Sequence, residues 1–388
     1  MWPKTEQQAE IQGIAKKIAK HISVTAIAHD VAASFPFEHF DFMEDLGYLK
    51  AAVPIEYGGL GLGLTDITLA QYEIGVGDGS TALAVGMHHV SVGVESLIKK
   101  WPTELREPIF REVVTDGALL NNINSEPEMG SPRGGGRPIT ALTPNGPGQW
   151  TLNGRKTWST LAPRLTYAVT LAAIEDGTGD VARVAQRMDA SGVSVEETWD
   201  SMAMRATGSH DIVFTDVSVS DKDFISRTNP KDKIVDAIDG AAWFPLLLSA
   251  ANLGVARAAS NYAIDFAKTR QPTGAPAPIS KFPSVREKVA RMVSTGHLAR
   301  NLLLTSAENW EQNPAKRREL VNEVAMTKLH SINSAMEITD LAIQIVGAVA
   351  LDRNRPLERY FRDVRSGLYN PPIEARALEQ IAASELDT

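Results

Sequence analysis

Apolar residues recur at steps of three and four positions along the first part of the chain, which is typical of amphipathic α-helices. This spacing predicts helices over 5–33, 38–47, 66–76, 81–100 and 103–115. Gly47 ends the second of them, where a residue that tolerates positive φ is the expected stop. We therefore expect an N-terminal helical domain over 1–118.

The pattern changes after residue 118, where short β-branched runs alternate with Gly, Pro, Asn and Asp. Runs at 167–174, 181–188 and 212–219 predict strands. In the string WTLNGRKTW, Asn153 and Gly154 separate two alternating runs, and both tolerate the positive φ of a two-residue type I′ turn. The sequence therefore predicts a hairpin there, within a small antiparallel β domain over 119–228.

Helical spacing returns from about residue 235, with Phe244, Leu247 and Leu248 opening one apolar face. Further helices are predicted over 284–310, 319–347, 356–366 and 374–385. Three long helices with connections of this size are typical of a bundle. The expected fold class is α+β, mainly α, with a C-terminal helical bundle over 229–388.

Composition narrows the classes of function. At 388 residues the chain exceeds a typical single domain, and its net charge of −8 without a basic run gives no reason to expect nucleic acid or a membrane as partner. The absence of cysteine excludes disulfides, thiolate zinc sites, iron–sulfur clusters and cysteine nucleophiles. The N-terminus lacks a signal-peptide core and no run of about 18 apolar residues occurs, so a cytoplasmic location is expected.

Three familiar motifs do not fit. The glycines at 58–63 lack the third glycine of a dinucleotide fingerprint in either register. Ser209, His210 and Asp211 have the residue types of a catalytic triad, but neighbours on a strand point to opposite faces. No H-E-x-x-H pattern occurs among the eight histidines, so no metal site is expected.

Five strings, in order along the chain, resemble the acyl-CoA dehydrogenase family. They are VPIEYGGLGL (53–62), NSEPEMGS (124–131), LNGRKTWST (152–160), RATGSHDIVFTDVSV (205–219) and QIVGAVALDRNRPLERYFRDVR (344–365). The resemblance implies an FAD-dependent oxidoreductase of fatty acid metabolism that dehydrogenates an acyl-CoA. It also implies a homodimer or homotetramer, and an electron-transfer flavoprotein as electron acceptor.

The resemblance places several residues at a flavin ring, which is flat and mostly apolar with a polar N5 and pyrimidine edge. Trp158 is expected to stack on one face of the ring, and Thr160 to offer a hydroxyl near N5. Ser125 matches a residue near the pyrimidine edge. Ser131 matches a serine that contacts phosphate or ligand, although Pro132 replaces the aspartate that follows it in the family.

Three further matches concern the adenosine end of the cofactor. Arg270 aligns with a family arginine that reaches the cofactor pyrophosphate of a neighbouring subunit, and a guanidinium suits a phosphate. Gln344 and Gly347 align with a Gln-x-x-Gly-Gly string whose second glycine is Ala348 here. These matches favour FAD over FMN and a cofactor site shared between chains.

The resemblance fails at the catalytic base. The family removes a proton α to the thioester with a glutamate in a Tyr-Glu-Gly-Thr string, but residues 369–372 read Tyr-Asn-Pro-Pro. The alternative position of the base falls on Phe244. Glu374 is the nearest carboxylate and Asp239 a more remote one. The ordinary interpretation of Glu374 is a solvated residue in the first turn of a helix.

Three hypotheses therefore stay open: a dehydrogenase with an atypical base, a monooxygenase on the same scaffold, and a non-catalytic subunit. The Asn-Pro-Pro ending is closer to a branch that includes flavin-dependent monooxygenases, which take reduced flavin from a flavin reductase and react it with oxygen. His88 and His89 lie on a helix that approaches the flavin in this fold, so one of them can serve as proton donor. The alternative is that one is packed and the other solvated.

Overall fold

The computed structural model describes residues 2–128, 137–230 and 238–387. Its first helices, α1 to α6, span Glu6–Ile22, Ala26–Ala32, Phe37–Asp45, Leu64–Gly77, Gly79–Ile98 and Thr103–Asp116. The prediction of a single helix over 5–33 is wrong in one respect, because the helix is interrupted between Ile22, where α1 ends, and Ala26, where α2 begins. The break lets the Thr25 hydroxyl reach Nε2 of His39 in α3 at 2.7 Å, a tertiary contact that helical spacing cannot reveal.

The middle of the chain forms one sheet of strands β1 to β8. They span Leu120–Ile123, Ala141–Pro144, Gln149–Lys156, Tyr167–Ile174, Val181–Arg187, Val193–Glu196, Asp211–Ser220 and Phe224–Thr228. The order is β6-β7-β3-β2-β4-β5-β8, and β1 also pairs with β4. The predicted β domain is confirmed, but the sheet is mixed: β1 and β2 run parallel to β4, since long crossovers separate them from it in the chain.

The hairpin predicted at Asn153 and Gly154 is wrong. β3 runs through both residues and pairs with β7 on either side of a bulge. Asn153 Nδ2 donates to Asp216 Oδ1 at 3.1 Å, and Gly154 takes φ +145°. A bulge uses the same tolerance of unusual backbone as a tight turn, so the local sequence fits both. The chain reverses before β3 instead, at residues 145–148.

The C-terminal part is helical, as predicted. Helices α7 to α11 span Trp243–Thr269, Pro283–Gln312, Arg317–Val346, Pro356–Asp363 and Glu374–Leu386. By length and composition alone, Ile238–Thr269 and Pro314–Leu351 are long and apolar enough to cross a membrane. The fold buries 72% and 50% of their apolar windows, and mostly buried core helices of soluble proteins pass the same test.

The N-terminal and C-terminal helices share one core, and two glycines permit a close crossing within it. α4 and α7 meet where Gly75 faces Gly254. A Cβ on Gly254 would lie 2.3 Å from the Tyr72 carbonyl oxygen, so any larger residue would push the helices apart.

Candidate functional site

The segment directly after β3 carries two of the residues predicted to contact flavin. Thr157 N donates to the Ser125 carbonyl oxygen at 3.0 Å, which places the loop after β1 beside this segment. The structure therefore brings Ser125, Trp158 and Thr160 together. Trp158 lies beyond the strand rather than on it, because β3 ends at Lys156.

Trp158 is exposed and strained. Its side chain is 68% exposed and its φ is +55°, in the left-handed region. That conformation costs a residue with a Cβ roughly 1–2 kcal/mol, and such outliers cluster at functional sites. An indole presented to solvent on a tight turn is suited to stack on a flat aromatic ring.

Thr160 begins a chain of hydroxyl groups with a defined direction. Its Oγ1 lies 2.9 Å from Ser209 Oγ, which lies 2.7 Å from Thr207 Oγ1. Thr207 donates to the Met204 carbonyl oxygen at 2.9 Å. All three bonds form only if Ser209 donates to Thr207 and Thr160 donates to Ser209. The free lone pairs of Thr160 then make it a hydrogen-bond acceptor towards any ligand.

A buried ion pair supports this site. Lys156 Nζ lies 2.6 Å from Glu126 Oε1, and the backbone N–H groups of Ile139 and Thr140 donate to the same carboxylate at 2.7 and 3.1 Å. Burial opposes the charge, but the bonds from Lys156 and Ile139 outweigh it and lower the pKa of Glu126. Sequence reasoning missed this pair, although both residues lie in the family-like strings.

The other residues predicted to bind the cofactor form no hydrogen bond or ion pair with Trp158 in the part of the chain that the structure describes. Ser131, with Pro132, lies outside the described residues. Arg270, Gln344 and Gly347 are exposed, and no hydrogen bond or ion pair among the described residues joins them to segment 157–161. Their role in cofactor binding stays a prediction.

Neither position of the family's base carries a carboxylate. Phe244 packs beside the apolar cluster of Leu83, Met204 and Leu248. Asn370 Nδ2 donates to the backbone carbonyl oxygen of Ser366 at 3.0 Å. The two positions therefore supply an apolar surface and a neutral amide.

The two fallback carboxylates have other roles. Glu374 is exposed in the first turn of α11, as the ordinary interpretation expects. Burial lowers the pKa of Lys328 to about 8, and nearby Glu374 partly opposes that shift. Asp239 Oδ1 accepts from Arg317 Nη1 at 2.7 Å, which makes it a structural ion pair.

His88 and His89 are both fully buried. His88 Nε2 donates to the Leu49 carbonyl oxygen at 2.8 Å, and Nδ1 accepts from Leu120 N at 3.2 Å, so His88 is the packed histidine of the alternative interpretation. The expectation that the other is solvated is wrong: His89 packs edge-on against Tyr48, and neither ring nitrogen has a hydrogen-bond partner among the residues that the structure describes. Burial lowers both pKa values, that of His88 to about 4, which leaves neutral rings.

Two clefts lie away from Trp158. One of about 460 Å³ opens between α4, α7 and α8, and is lined by Tyr72, Arg257 and Arg300 among others. The second, of about 360 Å³, lies beside Gly93 and Trp243. Neither is lined by Trp158 or Thr160; Trp158 is exposed and Thr160 is half-buried.

Family profiles match all three parts of the chain. The N-terminal, middle and C-terminal domains of acyl-CoA dehydrogenase match residues 4–109, 123–217 and 246–369. These matches cover well over half of the chain, in the order expected from the fold.

Individual relatives agree with the profiles. YdbM of Bacillus subtilis (strain 168), whose name places it provisionally among the acyl-CoA dehydrogenases, is 34% identical, covering 99% of this chain and 98% of its own. The amino sugar nitrososynthase RubN8 of Streptomyces rubradiris is 29% identical, covering 94% and 86%. The structure of KijD3 with FMN and a dTDP-amino sugar superposes with a TM-score of 0.86 at 26% identity, covering 99% and 95%. Since its three domains match in sequence and in fold, the chain belongs to the acyl-CoA dehydrogenase family.

Proposed function

We propose that the protein is a flavin-dependent monooxygenase, which uses reduced flavin and oxygen rather than abstracting a proton from an acyl thioester. One observation carries this proposal: Asn370 and Phe244 occupy the two positions from which the family's base projects. The dehydrogenases that this family resemblance implies abstract the proton with a carboxylate at one of them. Similarity to an amino sugar nitrososynthase and to KijD3 supports the same choice.

The chain's own residues fit a flavin. The exposed indole of Trp158 offers a stacking surface, and Ser125 offers a half-buried hydroxyl beside it. Thr160 is arranged to accept a hydrogen bond, which suits a reduced ring because only the reduced form carries a proton on N5. If the direction of donation along Thr160, Ser209 and Thr207 were reversed, Thr207 would lose its hydrogen bond to the Met204 carbonyl oxygen, worth about 1 kcal/mol.

Bound reduced flavin would supply two electrons to O₂, one oxygen atom passing to the substrate and the other leaving as water. The chain's part would be to hold the ring and to exclude water around it. The exposed Arg270, Gln344 and Gly347 favour FAD, whose ADP half would reach a second copy of the chain. FMN is the cofactor named with KijD3, so both flavins belong in the test.

The deciding experiment compares two assays on protein loaded with FAD or with FMN. We expect no anaerobic bleaching by a panel of acyl-CoAs. We expect oxygen consumption that depends on an amine substrate once NADH and a flavin reductase are supplied. Bleaching by an acyl-CoA with an enoyl product would overturn the proposal, and inactivity in both assays would favour a non-catalytic subunit.

A dehydrogenase remains the second candidate, because YdbM is 34% identical over almost the whole chain. In that case Glu374 is the carboxylate to test. Glu374→Gln would abolish bleaching if Glu374 is the base, whereas Glu379→Gln on the same helix would leave it unchanged. Reoxidation by an electron-transfer flavoprotein would support this candidate further.

A further inference from the structure

Three groups of the type that bind metals converge where α2 meets α3. Glu38 Oε1 lies 2.6 Å from His29 Nε2 and 3.7 Å from His39 Nε2. All three atoms lie within 4.8 Å of one another. Ligand atoms around a tetrahedral zinc ion lie about 3.3 Å apart, given bonds of about 2.0–2.1 Å. The separations of 2.6 Å, 3.7 Å and at most 4.8 Å lie on both sides of that value, so side-chain adjustment would bring the three atoms around one ion.

The hydrogen bonds behind His39 fix its tautomer. Thr81 Oγ1 donates to Asp78 Oδ2 at 2.8 Å, and Asp78 Oδ1 accepts from Arg359 at 2.9 Å, so Asp78 acts as an acceptor. Having donated its proton, Thr81 can only accept from Nδ1 of His39, 2.8 Å away. Nε2 of this buried ring therefore carries no proton, and it lies 2.7 Å from the Thr25 hydroxyl and 3.7 Å from Glu38 Oε1. A hydrogen-bonded Nδ1 behind a ligating Nε2 is the usual support of a histidine ligand.

His29 also has a hydroxyl partner at Nδ1, and ion binding at its Nε2 requires the tautomer in which Nδ1 donates to Ser34. Its Nδ1 lies 2.9 Å from Ser34 Oγ, which leaves Nε2 facing Glu38. The Thr25 hydroxyl lies 2.7 Å from His39 Nε2 and 3.2 Å from Glu38 Oε1, but its one proton can satisfy only one of them. Two imidazole nitrogens and a carboxylate oxygen thus lie together in one pocket, which is a ligand set suited to a cation.

We propose that His29, Glu38 and His39 bind a divalent transition-metal ion, of which Zn²⁺ is the first choice, with water completing the tetrahedron. Two imidazoles and one carboxylate suit zinc and disfavour Mg²⁺ or Ca²⁺. The Glu38 side chain is 48% exposed, so an ion can enter from solvent. The bound ion would join α2 to α3 and stabilise the N-terminal domain.

The chain's pattern of histidines did not predict this site, because its ligands come from two helices, His29 from α2 and Glu38 with His39 from α3, rather than from one short motif. His29 and His39 are ten positions apart. Only the packing of α3 against α2 brings their Nε2 atoms to the same carboxylate. The inference is independent of the proposed flavin chemistry.

The test uses full-length protein without a histidine tag, dialysed against EDTA and then titrated with Co²⁺ and Zn²⁺. We expect one equivalent of Co²⁺ to give the visible absorption of a four-coordinate site, displacement by Zn²⁺, and a higher melting temperature with either ion. Mg²⁺ should have no effect. His29→Gln and Glu38→Gln, both at partly exposed positions, should weaken binding at least about 100-fold, since even an outer partner is worth about 10–100-fold.

His21→Gln is the matched control, because His21 lies in the same domain and stacks on Phe42 with ring centroids 3.9 Å apart. Circular dichroism confirms that each variant is folded. Absence of saturable binding at micromolar Zn²⁺ would overturn the proposal. Binding that survives in both His29→Gln and Glu38→Gln would overturn it as well.

Discussion

Lys156 Nζ lies 2.6 Å from Glu126 Oε1, and neither side chain is more than 1% exposed. Lys156 is the last residue of β3, and Glu126 lies in the loop after β1. The pair therefore holds Ser125 beside the turn that carries Trp158. An ion pair far from solvent thus sets the position of two predicted flavin residues relative to each other.

Lys156→Met should destabilise the fold by about 3–5 kcal/mol, because it leaves Glu126 charged and unpaired in the interior. Urea denaturation measures the change, and adding Glu126→Gln should recover part of it. The control is Arg137→Gln, which removes an exposed partner of Glu175 and should cost less than about 1 kcal/mol. Equal losses in Lys156→Met and in the control would contradict the structural role.

Asp363 should make stability depend on pH. Burial raises the pKa of its carboxyl to about 7, although Arg359 partly opposes the shift. The protonated form therefore stabilises the fold below about pH 4, and this contribution is lost as the pH rises through 7. Between pH 5 and pH 8, the free energy of unfolding of wild type should fall by about 2–3 kcal/mol more than that of Asp363→Asn. Asparagine is chosen because its side-chain oxygen still accepts from Met204 N.

Chemical denaturation at both pH values measures this difference. Asp340→Asn is the control, because Asp340 forms a half-exposed pair with Arg365. Parallel pH curves for wild type and Asp363→Asn would show that Asp363 does not titrate in this range.

Gly254→Ala should destabilise the crossing of α4 and α7 by about 1–3 kcal/mol, because its Cβ would overlap the backbone at Tyr72 and Gly75. Gly13→Ala, in α1, meets nothing within 4 Å and should instead stabilise by about 0.5–1 kcal/mol. Thermal unfolding of the two variants gives opposite signs if the crossing is as close as described. If Gly254→Ala left the melting temperature unchanged, α4 and α7 would have to lie further apart than described.

Trp158→Gly should separate ligand binding from stability. Removing the indole takes away the stacking surface, worth about 1 kcal/mol, so flavin binding should weaken at least about 5-fold. Removing the Cβ relieves the positive φ, so the melting temperature should not fall. Fluorescence titration with FMN and FAD measures the first effect. Met202→Ala, at another exposed apolar residue, should change neither quantity.

Thr160→Val should discriminate against reduced flavin. The variant loses the acceptor and the bond to Ser209, so reduced flavin should bind about 2–10-fold more weakly while oxidised flavin changes less. The midpoint potential of the bound flavin should then become more negative. Thr160→Ser keeps the hydroxyl and should resemble wild type. If Thr160→Val weakens the oxidised form more, the hydroxyl chain runs in the opposite direction.

Much of the fold could be predicted from local sequence. The predicted strands at 167–174 and 212–219 agree with β4 and β7 to within a residue, and the predicted 319–347 helix agrees with α9 to within two. The reason is that burial of one face imposes a period of two or 3.6 on the sequence itself. The five family-like strings likewise lie in continuous stretches of chain, so the family was readable before the structure.

Tertiary structure decided between alternatives that the local sequence fits equally well. Asn153-Gly154 is compatible with a turn and with a bulge, and pairing with β7 selects the bulge. His89 is buried because α5 packs against Tyr48, which its sequence neighbours do not reveal. The domain boundaries at 118 and 228 remain predictions.

The sequence by itself determined the family, the order of helices and strands, and the loss of a carboxylate at residue 370. Only the folded chain decided that Lys156 pairs with Glu126, that Thr160 donates to Ser209 and so can only accept from a ligand, and that His29 and His39 lie beside one carboxylate. The physical reason is the separation along the chain over which each effect acts. Periodicity and turn preference act over a few residues, whereas these contacts join atoms that lie far apart along the chain and meet only after the core has packed.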